Sequence, residues 1–375
     1  MTIHPFKATM PNLELIASPD FFFGEVRENY PELLRSGFFS HLDETALFIY
    51  RYDGPIRSHF GIVAAADVED YLTGSIVKHE HTLADKEQKM LQLVLQRQAQ
   101  VKPVLLAYPE VDKINRFIDK AMSAEPPMLT VSYKGESHHF WKIADEKPLK
   151  KISKLFRKHV HKAYIADGHH RMATAALMHH QTLKKKKPRQ NEHYSYALAA
   201  FFPSNQLEIH DFNRVVTYDE NLSLARLMGK IGEKADIVTL DAPAKPARKH
   251  EMTMLLDGYW FRLEWKPGTL EKYHSKADRL DVSLLNKELL EDIFGIANVR
   301  TDQRVHYLPG TDGLDALAEL AEKWDHAVAF ALYPVQMEDF IQISDEHDTL
   351  PPKSTWFEPR INNGFLVYDF ERNER

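Results

Sequence analysis

The chain has 375 residues, of which 43% are apolar and 11% aromatic, a globular composition that excludes a disordered chain. It contains no cysteine, so disulfides, thiolate metal sites, iron–sulfur clusters and cysteine nucleophiles are excluded. A formal net charge of -6 provides no global field for a nucleic-acid backbone, although a local basic patch is compatible with it.

At this length two or three packed units are expected. Residues 1–7 lack the basic and apolar regions of a signal peptide, and no run of about 18 apolar residues occurs. The expectation is a reduced, cytoplasmic protein with no membrane-spanning helix. In chain order, residues 60–66 read as a buried strand, followed by a turn of helix over 67–72. Thr82 opens a helix in which Asp85 stands as in a capping box and Met90, Leu91, Val94 and Leu95 form an apolar stripe. Residues 128–133 and 138–143 flank Lys134-Gly135 and predict a hairpin. Residues 164–166 read as a short buried strand that Asp167-Gly168 breaks, and the helix after it turns Met172, Ala175 and Ala176 inward. A polar loop over 184–191 leads into a strand over 196–202. Further on, residues 252–256 and 259–263 flank Asp257-Gly258, a type I′ turn pair. Beyond a Pro- and Lys-rich loop at 241–249, the pattern predicts a helix near 283–293, a strand near 304–308, a helix near 314–324 and a strand over 327–332. No internal repeat is visible.

The run with chemical promise is Asp167-Gly168-His169-His170-Arg171. A glycine between a strand end and a helix start allows a tight turn and leaves amide groups open, which together with the helix dipole favours an anion. Arg171 adds a guanidinium that can grip phosphate oxygens. His169 and His170 can donate, accept or ligate near neutral pH. Asp167 can take a proton or hold a magnesium ion through water. A competing reading makes the run an ordinary turn with a polar helix start.

The run from Tyr164 to Arg171, with Thr174 and Ala175, resembles the signature of the family known as domain of unknown function 1015. His79-Glu80-His81-Thr82 resembles its His-Glu-x-Thr element, Phe212-Asn213-Arg214 its Phe-Asn-Arg motif, and Pro351-Pro352-Lys353-Ser354-Thr355-Trp356-Phe357 its C-terminal motif. The early Pro-Tyr-Asp-Val element of the family is missing, and the corresponding region reads Ser18-Pro19-Asp20-Phe21-Phe22-Phe23-Gly24-Glu25.

The Gly-x-x-Arg core is also similar to the nucleotide loop of the ParB/sulfiredoxin-like fold, where sulfiredoxin has Gly-Cys-His-Arg. Free-serine kinases of the ParB-like group carry an Asp-Gly-His-His-Arg loop. The resemblance implies a mixed α/β (α+β) fold: a ParB/sulfiredoxin-like nucleotide-binding core over 1–204, an α+β insertion over 205–268, and a C-terminal segment over 269–375 that packs back on the core. It implies a nucleotide-dependent phosphotransferase acting on a small hydroxylated metabolite such as free L-serine, with ATP or ADP and magnesium. Gly168, Arg171, Thr174 and His79 would bind phosphate or nucleotide. Asp167, Glu80, His169 and His170 would serve catalysis, with Glu25 and Glu28 as weaker acid–base candidates. Asn213, Arg214, Lys353, Ser354 and Thr355 would hold substrate. Two rival readings stand beside it: a non-catalytic nucleotide-sensing or regulatory ParB-like module, and a nucleotide hydrolase. Nucleic acid is not an expected partner. Metal ligands and the oligomeric state are not specified. His79 and His81 alone are a weak zinc signal.

Overall fold

The computed structural model describes residues 1–80, 82–183 and 193–374. It is a mixed α/β protein whose chain divides into two compact units, one of residues 1–208 with 359–375 and one of residues 209–358. The expected loop over 184–191 and His81 lie outside the described residues. Among the described residues no helix is long and apolar enough to cross a membrane.

The first unit is built on a nine-stranded mixed sheet. Its order is Ile76–Val77, Ala163–Asp167, Val104–Tyr108, Tyr196–Pro203, Ser58–Asp67, Leu47–Asp53, Glu136–Ile143 and Leu129–Tyr133, with Ile3–His4 attached to Ser58–Asp67. Ser58–Asp67 and Tyr196–Pro203 are apolar on both faces, as strands covered from both sides must be. Between them, Gly61 allows a close approach: a Cβ there would fall 2.5 Å from the Phe201 carbonyl. Three helices bring their apolar faces onto this core. Asp112–Ala124 contributes Ile114 and Ile118, Glu146–His159 contributes Ile152 and Phe156, and His169–Leu183 contributes Met172 and Ala175. The expected hairpin at 134–135 is present, with φ of 53° at Lys134 and 77° at Gly135. A smaller sheet orders Phe39–His41, Ala8–Pro11, Val367–Asp369 and Ala99–Gln100, so the final residues close onto the N-terminal ones.

One local expectation is corrected. Thr82 does not cap the helix that follows. The helix spans Ala84–Arg97 with Leu83 at its N-cap, and the Thr82 hydroxyl instead donates to Glu87 Oε1. Of the predicted apolar stripe, Leu91 and Val94 are buried while Leu95 is exposed.

The second unit is an antiparallel six-stranded sheet. Its order is Ala235–Leu240, Tyr259–Trp265, Glu251–Leu256, Ala327–Leu332, Phe212–Thr217 and Val305–Pro309. Asp257 and Gly258 make the predicted hairpin turn, both with positive φ. The strands before and after residue 268 share this sheet, so the separation expected there does not appear. Glu251–Leu256 pairs with Ala327–Leu332, placing Met252 opposite Leu332 and Leu256 opposite Val328, a long-range ladder that local patterning cannot reveal. Likewise only residues 359–375, not all of 269–375, group with the first unit. The helix expected near 283–293 begins at Asp281 and continues as a π-helical stretch, Leu285–Glu291.

Candidate functional site

The strand Ala163–Asp167 is buried up to its last residue, and only Gly168 separates it from the helix His169–Leu183. Gly168 makes that reversal at φ 103°, a value open in practice only to glycine. It has a second duty. A Cβ at Gly168 would lie 2.6 to 2.8 Å from the Nη2, Nε and Cζ atoms of Arg171. The guanidinium is thus folded back over the bare glycine, where its Nη2 donates to Asp167 Oδ2 at 2.8 Å. The first helical backbone bond runs from the Met172 N–H to the Gly168 carbonyl at 3.0 Å, which leaves the amides of His169, His170 and Arg171 as helix-terminal donors.

Asp167 is held as an anion. Burial would raise its carboxyl, but the charges of Arg171 and of Lys102, whose Nζ lies 4.0 Å away, outweigh it and keep it well below the usual carboxylate range. Lys102 shows the converse. Burial, and then Arg171 beside it, push its ammonium down to about 8.

Arg171, alone of residues 167–171, also lines a cavity of about 220 Å³, together with Thr174 one turn on. One part of its wall is cationic, formed by Arg27, Arg97, Lys102 and Arg171. Another is apolar, formed by Met90, Val94, Val101, Ala175 and Met178. Arg97 is only 7% exposed, yet its Nε and Nη2 have no hydrogen-bond partner among the described residues. Arg171 Nε and Thr174 Oγ1 are also buried without one. Buried donors left unpaired are expensive, about 1–3 kcal/mol each and more for charged groups. Four such atoms in the residues around one cavity point to a ligand rich in acceptor oxygens.

The predicted histidines form a neighbouring cluster. His169 is 6% exposed and packs edge-on to His79, with ring centroids 4.3 Å apart. Burial pushes His169 down to about 4 and holds His79 well below its ordinary value. Both are neutral at pH 7. The His79 backbone N–H donates to His169 Nε2 at 3.4 Å, so the ring proton of His169 sits on Nδ1, facing Glu80 Oε2 at 3.8 Å. Glu80 remains 42% exposed. His170 is half-buried. Glu25 accepts from Asn29 Nδ2 and Glu28 pairs with Arg27, both at the surface.

The remaining predicted residues lie in the second unit, where they meet one another. Arg214 is 0% exposed, and its Nη1 and Nη2 donate to the carbonyls of Phe212 and Lys353, at 2.5 and 3.0 Å. Asn213 Oδ1 accepts from the Leu332 N–H. Lys353 has φ 54° and its ammonium lies 4.8 Å from the Phe212 ring, the Ser354 hydroxyl donates to the Pro351 carbonyl, and Thr355 is half-buried. The two motifs, about 140 residues apart, therefore hold each other's backbone.

Sequence reasoning missed Arg27, Arg97 and Lys102. Only Arg97 left a signal, as an arginine in helical phase with Leu91 and Val94, on a face that should be apolar. Among the described residues no group of three His, Cys, Asp or Glu could hold a metal ion.

Fold and cavity together define a mixed α/β protein with a basic pocket behind a strand–glycine–helix loop. The family model described as a protein of unknown function (DUF1015) matches residues 11–283, and the chain belongs to that family. The motif at 353–355 falls outside the matched span. No curated protein matches the chain. Among solved structures, it is similar to a variant of a free serine kinase in complex with AMP, at 14% identity and a TM-score of 0.40, over 79% of this chain and 87% of that one. It is similar to a conserved hypothetical protein from Pyrococcus furiosus at 14% identity and a TM-score of 0.39, over 83% and 97% of the two chains. A C-terminally truncated SbnI from Staphylococcus aureus follows at 11% identity and a TM-score of 0.37, over 80% and 85%. Likeness at this level transfers no residue role.

Proposed function

We propose that this protein is a nucleotide-dependent phosphotransferase that acts on a small hydroxylated metabolite such as free L-serine, with ATP or ADP as donor. The observation that carries the reading is the cavity lined by Arg171 and Thr174, where four cations and unpaired buried donors share a wall with an apolar surface. Phosphoryl groups satisfy Arg171, Lys102 and Arg97, and the methionine-lined side takes a base or sugar by apolar contact. Phosphoryl transfer asks a protein chiefly for positioning and charge neutralisation, which such a wall supplies.

Asp167 serves best as the anchor that orients Arg171, because a carboxylate held so strongly ionised is a poor proton acceptor. Glu80, exposed and facing the Nδ1–H of His169, is the candidate to take the hydroxyl proton. Asp167 is engaged by Arg171, so magnesium would be held chiefly by the nucleotide phosphates themselves. The engagement of Asp167 also favours a second reading, a nucleotide-sensing module without catalysis.

Calorimetric titration with ATP, ADP and AMP, followed by phosphorus NMR with L-serine and magnesium, separates these readings. Binding with phosphoserine formation supports the kinase. Binding with no product from serine or from a panel of small alcohols leaves the sensor, and absence of binding to every nucleotide overturns both. Affinity should also depend on pH with a definite sign. Lys102 in the free protein loses its proton above about 8, so nucleotide affinity should fall as pH rises past that value, by up to about tenfold per unit. Lys102→Met should bind more weakly at pH 7 and show a flat profile between pH 7 and 9.

A further inference from the structure

Away from the loop, the helices Asp112–Ala124 and Glu146–His159 lie side by side with their apolar residues on the core of the first unit. Their outward faces enclose a trough of about 640 Å³. Its floor is apolar, made by Phe117, Ala121, Pro148 and Leu155. Its rims carry Lys113, Arg116 and Lys120 from one helix and Lys147 and Lys151 from the other. Lys151 reaches across to the Phe117 ring, 5.9 Å from its centroid.

Among the described residues none of these five cations forms an ion pair with a carboxylate. Lys150, on the same helix, has Glu146 instead. A chain with net charge -6 has therefore gathered five cations without a paired carboxylate around one apolar groove. Phe117, Ala121 and Leu155 pack on the core of the first unit and are only partly covered, so their remaining apolar surface lies open between the two rims.

We propose that this trough docks an acidic amphipathic helix of a partner protein. The occupant must supply apolar side chains for the floor and carboxylates for both rims. A helix with apolar residues at i, i+3, i+4 and i+7 flanked by Asp and Glu does both. The rim helices are 13 and 14 residues long, about 20 Å, so they match three to four turns of such a partner. A nucleic-acid duplex would engage the rims and leave the floor without a counterpart. A bilayer surface cannot enter a concavity.

The test uses the full chain and a fluorescein-labelled amphipathic peptide of Leu, Ala, Glu and Asp, with a scrambled peptide of equal composition. Anisotropy should report binding to the amphipathic peptide, and weaker binding to the scrambled one by about tenfold or more. The pair Lys120→Glu with Lys151→Glu should weaken the amphipathic peptide by a similar factor. Ala121→Arg fills the floor while adding positive charge, so it should weaken binding where pure electrostatics would strengthen it. If Ala121→Arg lowers the melting temperature, Ala124→Arg, which is exposed, replaces it. Equal binding of the scrambled peptide, tighter binding by the arginine variant, or preference for a duplex oligonucleotide or for phosphatidylserine vesicles overturns the proposal.

Discussion

Gly168→Ala should both destabilise the first unit, by about 2–3 kcal/mol, and weaken nucleotide affinity by about 100-fold. Two effects combine. A φ of 103° is costly for any residue with a Cβ, by about 1–2 kcal/mol or more. The new methyl group would also stand 2.6 Å from Arg171 Nη2, so the guanidinium has to swing off the loop. Asp167 then loses its 2.8 Å partner, and Arg171 loses the orientation that turns its fork toward the cavity. Gly258→Ala is the matched control. Its φ of 77° is likewise positive, but nothing lies within 4 Å of the added Cβ. It should cost stability through the backbone alone and leave affinity unchanged. Calorimetry and thermal melts on both variants decide the matter. An alanine at Gly168 that binds nucleotide normally would remove Arg171 from the site.

The loop was legible in the sequence because all its determinants are contiguous. A buried strand, a glycine and a polar helix start lie within ten residues, and Asp167 and Arg171 are one helical turn apart. The rest of the cavity wall was not, because Arg27, Arg97 and Lys102 reach it from three other segments whose adjacency depends on strand order. Secondary structure was readable wherever local chemistry decides it, as at the Lys134-Gly135 and Asp257-Gly258 turns. Thr82 was the exception, since its hydroxyl went to the Glu87 carboxylate rather than to the backbone, and the helix starts at Ala84 with no side-chain cap. The division of the chain was the least legible, since the sheet of the second unit joins strands more than 100 residues apart. Phe212-Asn213-Arg214 and Lys353 illustrate the same limit. Their contact is between a side chain and a distant carbonyl, which no pattern in either segment encodes.

Acid should unfold the first unit in two separable stages, and the earlier stage belongs to buried histidines. His138 is fully buried, with Nδ1 at 2.8 Å from the Tyr50 hydroxyl and Nε2 buried without a hydrogen bond. Burial pushes it down to about 4, as it does His169. A histidine whose folded value is depressed resists protonation in the native state while the unfolded chain takes up the proton. Its stabilising contribution is therefore complete above about 6.5 and is lost as pH falls toward 4, by about 3 kcal/mol for each such ring. Asp167 belongs to the later stage, below the ordinary carboxylate value of 3.8, because its folded value is depressed in the sense that favours the anion. In the second unit Asp281, pushed up to about 7 by burial, has the opposite sign and gains stability as it takes a proton. A difference measurement removes that contribution. His138→Gln keeps a partner for Tyr50 and cannot be protonated, so the stability gap between the original protein and the variant should shrink by about one proton's slope between pH 6.5 and 4. Urea unfolding at several pH values measures the gap, and ring-proton NMR of His138 should place its titration near 4. A gap constant across that range, with His138 titrating near its ordinary value, would mean that water reaches the ring and that the core between Tyr50 and Phe365, whose ring centroid lies 4.6 Å from that of His138, is open.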